Sequence, residues 1–226
     1  MGRVLPGLLP LPEDLAVDIE YGFDSYKVTY CTVDVARPGM ARPVPTVATG
    51  NVSVPRKAGP LATVAYLHGT SPSFYDAPSN PNVVGELEAR GESFDGPPSS
   101  TIFAGDGFVY VAPDYLGLGD SAVPRHRYFH AATEASSAAD LLAASRGVLR
   151  SLGSSGATSC SPSASPRAAT WPWRCIGCWS VAVEVTATAP VGGVFDVERF
   201  FLSSIANETT VTLPLAVAHL LLASAV

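Results

Sequence analysis

The chain has 226 residues, a formal net charge of −6, 47% hydrophobic residues and 15% charged residues. This length and hydrophobic content suffice for one domain with a sizeable core, and they exclude a chain that is disordered by composition. The negative charge argues against binding to nucleic acid or to an anionic membrane surface, because phosphate groups require a basic protein face. No apolar run approaches 18 residues, so the sequence predicts no transmembrane helix.

The first segment, residues 1–20, begins MGRVLPGLLPLP, in which one early arginine precedes a short apolar run. Two interpretations are open, the remnant of a signal peptide and a plain N-terminal arm. The prolines and the missing small-residue cleavage site favour the arm. The four cysteines do not suggest a disulfide framework, because Cys31 stands far from the other three.

Alternating and continuous apolar patterns predict four strands in the first half of the chain. Residues 24–35 alternate with a period of two, and residues 46–55 follow a loop rich in proline and glycine, so we expect an antiparallel pair. Residues 61–70 and 108–115 are instead continuous apolar runs, which are typical of strands covered on both faces.

Helices are predicted between and after these continuous runs. The first contains residues 99–107 and ends at Gly107, whereas the second, residues 128–153, is rich in alanine and leucine and ends at Gly153. A further strand is predicted at 183–190 by alternation. The order strand, helix, strand, helix favours an α/β fold with a mostly parallel sheet and right-handed crossovers.

Four motifs lie in order on these elements: YLHGT at 66–70, APDYLGLG at 112–119, HAATEA at 130–135 and TATAPVGG at 186–193. Together they resemble the α/β-hydrolases, and in particular the bacterial serine esterases of the secretory-lipase group. The resemblance extends over most of the chain, outside an anomalous segment at 154–182.

The resemblance implies an α/β-hydrolase core at 21–190 and the start of a helical cap at 191–226. It also implies hydrolysis of an ester or lipid through an acyl-enzyme, with no cofactor and no metal, by a secreted monomer. A serine in a Gly-x-Ser-x-Gly turn would be the nucleophile, a histidine the base, and an aspartate the group that orients it. The apolar helices at 197–226 also fit ordinary core packing, and that alternative stays open.

Several motif residues have expected roles in this fold. His68 and Gly69 are expected to end a strand and shape the oxyanion loop, with a catalytic role for His68 as the alternative, and Thr70 is the candidate backbone donor to the oxyanion. Asp114 is expected to fix the loop after its strand, with the triad acid as the alternative. On that same loop Gly117 and Gly119 are expected to be turn glycines, not a phosphate cradle.

The remaining histidines have other expected roles. His126 and His130 precede or open the long helix, so loop and cap contacts are favoured over the role of a base. His219 lies in the apolar run LAVAHLLLA and is expected to be a core or surface histidine.

The resemblance places the nucleophile turn near residues 163–168, where the chain reads SASPRA. The nucleophile slot therefore falls at Ser165 and Pro166, and Gly-x-Ser-x-Gly occurs nowhere in the sequence. Pro166 also lacks the backbone N–H that an oxyanion hole takes from the residue after the nucleophile. We therefore expect no intact catalytic residue at this slot.

The segment 154–182 contains all three tryptophans and, at Cys160, Cys175 and Cys178, three of the four cysteines. Codons that encode the residues present at 157–179 can be chosen so that the neighbouring frame reads DKLFAVGFSQGGHVAMALHRVL. That string has a strand, an elbow and a helix in the order that the resemblance requires, so we hypothesise a shifted reading frame. A Cys-x-x-Cys metal or redox pair and a lineage-specific loop are the alternatives.

In the family the acid and the histidine of the triad come later in the chain than Val226, so we also expect a truncated chain. The leading hypothesis is a serine ester hydrolase that is inactive as written. The alternative is a non-catalytic module that binds a small molecule or a protein on a degenerate hydrolase fold.

Overall fold

The computed structural model describes residues 2–3, 18–35, 43–69, 77–80, 96–128, 130–153, 156–164, 186–187 and 189–190. Two short strands, β1 (Gly2–Arg3) and β2 (Asp18–Ile19), form a separate antiparallel pair. The main sheet contains β3 (Phe23–Asp34), β4 (Val44–Pro55), β5 (Leu61–Leu67), β6 (Val109–Pro113), β7 (Gly156–Ala164) and β8 (Ala189–Pro190). The two helices of the described residues are α1 (Gly96–Gly105) and α2 (Ala131–Ser151).

The main sheet has the order β3-β4-β6-β5-β7-β8. Strands β3 and β4 pair antiparallel along their whole lengths, from Phe23 opposite Pro55 to Asp34 opposite Val44, which confirms the predicted antiparallel pair. Strand β4 is also antiparallel to β6. From β6 onward every neighbour is parallel, through β5 and β7 to β8, so the sheet is mixed with a parallel half.

The two helices cover opposite faces of the sheet, as the two-residue period of β6 reveals. Val109 and Val111 belong to the larger core cluster, which includes Leu141 of α2. Tyr110 alternates with them and packs in a second cluster with Ala104 of α1. Because neighbouring residues of a strand point to opposite faces, α1 and α2 sandwich the sheet. All five residues of β6 are buried, as its continuous apolar sequence predicts.

The ends of the elements differ by a few residues from the prediction. Strand β5 ends at Leu67, so that His68 and Gly69 already belong to the following loop. Helix α1 begins earlier than predicted, at Gly96, and two prolines lie in its first turn. Proline is tolerated there because backbone N–H groups in the first turn have no partner within the helix. Gly107 follows it with a φ of +93°, the left-handed conformation expected of a glycine after a helix.

Strand β7 is an element that hydrophobic patterning did not indicate. Its sequence, GATSCSPSA, has no apolar run, yet its backbone pairs in parallel with β5 up to the pair Leu67 and Ala164. It lies inside the sheet, between β5 and β8. The nucleophile slot at Ser165 and Pro166 directly follows its end and lies outside the described residues, as do the expected cap at 191–226 and most of the arm.

Candidate functional site

The carboxyl ends of β5, β6 and β7 meet at one edge of the sheet, because these strands are parallel. In open α/β sheets this edge is where ligands bind. The residues that follow the first two strands there are His68 and Gly69, after β5, and Asp114, after β6. The predicted motif residues of the two strands are therefore neighbours in space, as their order on the elements indicated.

Asp114 is fully buried and accepts three hydrogen bonds from residues distant in sequence. The hydroxyl of Thr49 on β4 donates to Oδ2 at 2.5 Å. The backbone N–H of Ser79 donates to Oδ1 at 2.8 Å, and its hydroxyl donates to Oδ2 at 2.6 Å. The carboxyl group thus joins β4, the end of β6 and the segment around Ser79, an arrangement that we call the Asp114 tie.

Burial raises the pKa of Asp114, and the hydrogen bonds from Ser79 and Thr49 oppose that rise. A carboxyl with an elevated pKa in a cleft is a candidate for proton transfer. Here, however, both oxygens are already engaged by hydroxyl and amide donors within the protein. The geometry is that of a residue that holds a loop in place.

The turn at 77–80, which we call the anchored turn, belongs to the long connection that follows β5. It closes with a hydrogen bond from the N–H of Asn80 to the carbonyl of Ala77 at 2.9 Å. Asn51 on β4 donates from Nδ2 to the carbonyl of Pro78 at 3.0 Å, while Ser79 is held by the Asp114 tie. Two neighbouring strands therefore fix this part of the connection against the sheet.

The loop at 114–119, which we call the β6 loop, depends on its two glycines. Gly119 has a φ of +55°, and a Cβ there would lie 2.2 Å from Oδ2 of Asp114. Gly117 has a φ of +88°, and a Cβ there would lie 2.1 Å from the backbone nitrogen of His126. Both the backbone conformation and the space therefore require glycine at these predicted turn positions.

Tyr115 is a buried non-glycine residue in the left-handed conformation, with a φ of 63°. Its ring centroid lies 4.5 Å from that of His68, which is also buried. The Nδ1 atom of His68 is 3.0 Å from the carbonyl oxygen of Gly69, and since a carbonyl only accepts, Nδ1 is the donor. A strained residue thus packs on the His-Gly pair at the edge of the sheet, a position where strain is often functional.

The two other histidines of the described residues contact backbone groups near the long helix. His126 donates from Nδ1 to the carbonyl of Leu116 in the β6 loop at 2.9 Å. His130 precedes α2 and accepts a hydrogen bond from the N–H of Thr133. These are the loop and cap contacts that the sequence favoured.

Several predicted site residues lie outside the part of the chain that the structure describes: Thr70, Ser165, Pro166, Cys175, Cys178 and His219. Sequence reasoning in turn missed Thr49, Asn51 and Ser79. Their only signal is a run of small and polar residues, TGN, in the middle of a strand, and a serine in a proline-rich loop.

No group of His, Cys, Asp and Glu within the described ranges is arranged to hold a metal ion. Neither described helix combines the length and the apolar character that crossing a membrane requires.

Comparisons with solved structures identify the fold, although no protein-family model and no curated protein matches the sequence. A Legionella pneumophila protein whose assignment as a hydrolase is provisional is 24% identical with a TM-score of 0.72, over 94% of this chain and 54% of that chain. The rice cell wall degrading esterase LipA from Xanthomonas oryzae is 27% identical with a TM-score of 0.65, over 82% of this chain and 46% of that chain.

Candida antarctica lipase A, at 14% identity and a TM-score of 0.57 over 88% of this chain and 44% of that chain, shares the fold alone. The chain spans about half the length of the solved structures that it matches. The mixed sheet, its flanking helices and these structural neighbours lead to one conclusion. The chain is related to the α/β-hydrolases and has a partial α/β-hydrolase fold.

Proposed function

We propose that the chain derives from a serine ester hydrolase of the lipase and carboxylesterase type, and that it does not hydrolyse esters as written. The observation that carries the family assignment is the meeting of the His-Gly pair and the Asp114 tie at the carboxyl edge of a parallel sheet. The 27% identity to the esterase LipA supports an ester as the substrate class of the parent enzyme.

The lack of activity follows from the chemistry of the nucleophile slot. Strand β7 ends at Ala164, and the next two residues are Ser165 and Pro166. A nucleophilic serine needs a sharp turn that projects its hydroxyl beyond the sheet, and the residue after it must donate an N–H to the oxyanion. Proline at that place has no N–H, and no glycines flank the serine in the Gly-x-Ser-x-Gly spacing.

A displaced reading frame accounts for both the missing motif and the misfit of β7. A strand inside a parallel sheet is normally an apolar run, and proline is rare there because it cannot donate to the ladder. In β7, Pro162 stands opposite Ala65 of the apolar strand β5. The neighbouring frame would supply KLFAV over 158–163, and its serine codon would span positions 165 and 166, directly after the observed end of β7.

The nucleotide sequence of the gene tests the displaced frame. We expect the frame adjoining codons 157–179 to encode GFSQGG, bounded by one frame-changing site before residue 157 and another near residue 182. A gene in which that frame does not encode this string would contradict the proposal.

A chromogenic short-chain ester tests the activity. The purified chain is expected to give the same rate as a Ser165→Ala variant and as buffer. Turnover that copurifies with the chain, is blocked by a serine-directed phosphonate and is lost in Ser165→Ala would contradict the proposed inactivity.

A repaired variant, in which DKLFAVGFSQGGHVAMALHRVL replaces residues 157–178, separates the two parts of the proposal. The apolar residues of KLFAV would be buried in the sheet, at about 1.5–3 kcal/mol for each large side chain. Three such side chains contribute at least about 4.5 kcal/mol, so we expect the melting temperature to rise by about 10 °C or more. An unchanged or lower melting temperature would count against the displaced frame, whatever the repaired chain does to esters.

A second candidate function is that of a non-catalytic module that binds a small molecule at the same edge. The intact Asp114 tie favours it, because the described scaffold of the site is kept although the nucleophile slot is altered. A long-chain methyl ketone, which mimics an ester without being hydrolysed, should then raise the melting temperature of the chain. No shift at saturating ketone would remove this candidate.

A further inference from the structure

The N-terminal end of α2 is joined to the edge strand β3 by a buried polar contact outside the candidate site. Arg127 donates from Nη2 to Oδ2 of Asp34 at 2.9 Å, and the two side chains are only 9% and 4% exposed. Nearly two turns into α2, Ser137 shares a buried hydrogen bond of 2.7 Å with the hydroxyl of Tyr30 on β3. The loop that precedes α2 and the helix itself thus both contact β3 through buried polar side chains.

His130 caps α2 within this joint. Its Nδ1 atom accepts from the backbone N–H of Thr133 at 3.3 Å and lies 2.8 Å from the hydroxyl oxygen of the same residue. Only the unprotonated nitrogen has the lone pair that can accept these bonds. An imidazolium carries a proton on both nitrogens, so protonation of His130 removes this side-chain acceptor, and the N–H groups of Thr133 and Glu134 keep only their bonds to the carbonyl of His130, at 3.0 and 3.1 Å.

The charges around His130 come from three elements. Asp34 of β3 favours the imidazolium, whereas Arg127 of the preceding loop disfavours it. Within α2 itself, the buried Glu134 lies one turn further along the helix. The positive end of the helix dipole also disfavours a cation at this position. Burial is the largest influence, and the net effect lowers the pKa of His130.

The joint is connected to the β6 loop of the candidate site. The carbonyl of Leu116 accepts both from Nδ1 of His126 at 2.9 Å and from the backbone N–H of Arg127 at 3.3 Å. The ring of His126 also stacks on that of Tyr115 at 6.2 Å. Residues 126 and 127 therefore lie between the capped helix end and the loop that packs on the His-Gly pair.

We propose that the N-terminal end of α2 is an acid-sensitive joint, in which protonation of His130 breaks the side-chain cap and loosens the first turn of the helix together with residues 126–127. The proposal concerns regulation of the sheet edge and does not require that the edge hydrolyses esters. Since the folded chain resists protonation of His130, the stabilisation from the cap is complete above a pH of about 6.5 and is lost as the pH falls below it.

Thermal melts between pH 7.5 and 5.5 test the joint with two histidine variants. In His130→Asn the side-chain oxygen still caps the helix but does not titrate. The wild-type chain should lose about 2–4 °C more than His130→Asn over this range, the shift that loss of one cap implies. His126→Asn, which keeps a donor for Leu116, should retain the wild-type pH dependence. Equal pH dependence in the wild type and His130→Asn, or its loss in His126→Asn, would overturn the proposal.

Hydrogen exchange on the wild-type chain gives a second test that needs no variant. After correction for intrinsic rates, amides at 131–136 should exchange about fivefold faster at pH 5.5 than at pH 7.5, relative to amides at 141–149 of the same helix. A uniform change along α2 would show that acid acts on the whole helix and would contradict a local joint.

Discussion

Removal of the Asp114 carboxyl should be among the most destabilising single changes in the described part of the chain. In Asp114→Ala, the N–H of Ser79 loses its acceptor in a buried site, as do the hydroxyls of Thr49 and Ser79. An unsatisfied buried group costs about 1–3 kcal/mol, and hydroxyls can rotate toward other acceptors, whereas the backbone N–H has no such freedom. Burial of the carboxylate itself is unfavourable and offsets part of the three hydrogen bonds.

The expected net loss for Asp114→Ala is therefore about 3–4 kcal/mol of unfolding free energy, a large share of the roughly 5–15 kcal/mol that holds a domain together. Urea denaturation followed by far-ultraviolet circular dichroism measures it. The exposed Asp106, whose backbone N–H continues α1, supplies a matched Asp106→Ala control that should change stability by less than about 0.5 kcal/mol. A loss below about 1 kcal/mol in Asp114→Ala would refute the tie.

Three further predictions concern the crowding at Gly119, the hydrogen bond of Tyr30 and the pH dependence of Asp114. Gly119→Ala should lower the unfolding free energy by about 2–4 kcal/mol in urea denaturation, because its Cβ would clash with Asp114. Gly153→Ala, at a φ of +70° with open space around it, should lower it by only about 1–2 kcal/mol. Equal losses would contradict the clash with Asp114. Tyr30→Phe should cost about 1 kcal/mol, since it removes the buried bond to Ser137, and a stability-neutral result would show that the serine finds another partner. Because the pKa of Asp114 is raised in the folded chain, its contribution to stability is complete below the ordinary carboxyl pKa and falls as the pH rises through the folded value. The unfolding free energy of Asp114→Asn relative to the wild type should therefore improve from pH 4 to pH 7. A difference between the two that instead grows in favour of the wild type would contradict a raised pKa.

Local sequence patterns were sufficient for most of the elements. The alternation of 24–35 and the apolar runs at 61–70 and 108–115 predicted β3, β5 and β6, because burial on one or two faces leaves a direct trace in a strand. The ends were less predictable, since the last residues of an apolar run can turn away into a loop, as His68 does. Strand β7 has no such trace. Its place is given by its backbone pairing with the edge of β5, which side-chain patterning does not reveal.

The candidate site divides in the same way. The glycines at 117 and 119 were predicted from the chain alone, because the left-handed conformation leaves a signature in residue type. The partners of Asp114 were not, since Thr49 and Ser79 are 65 and 35 residues away along the chain. Long-range hydrogen bonds of this kind depend on the sheet order, which brings β4 beside β6. The type of a single residue does not predict them.

The position of β7 in the sheet order determines which strands depend on its pairing. Strands β3, β4, β6 and β5 follow one another without interruption, and the hydrogen-bond ladders that join them do not pass through β7. Both helices pack against these same four strands. These four strands and two helices are thus joined to one another without β7, whereas β8, within the described residues, has a ladder with β7 alone and depends on it. Any weakness in the pairing of β7 with β5 would therefore affect β7 and β8, at one side of the sheet, before it affects the other four strands.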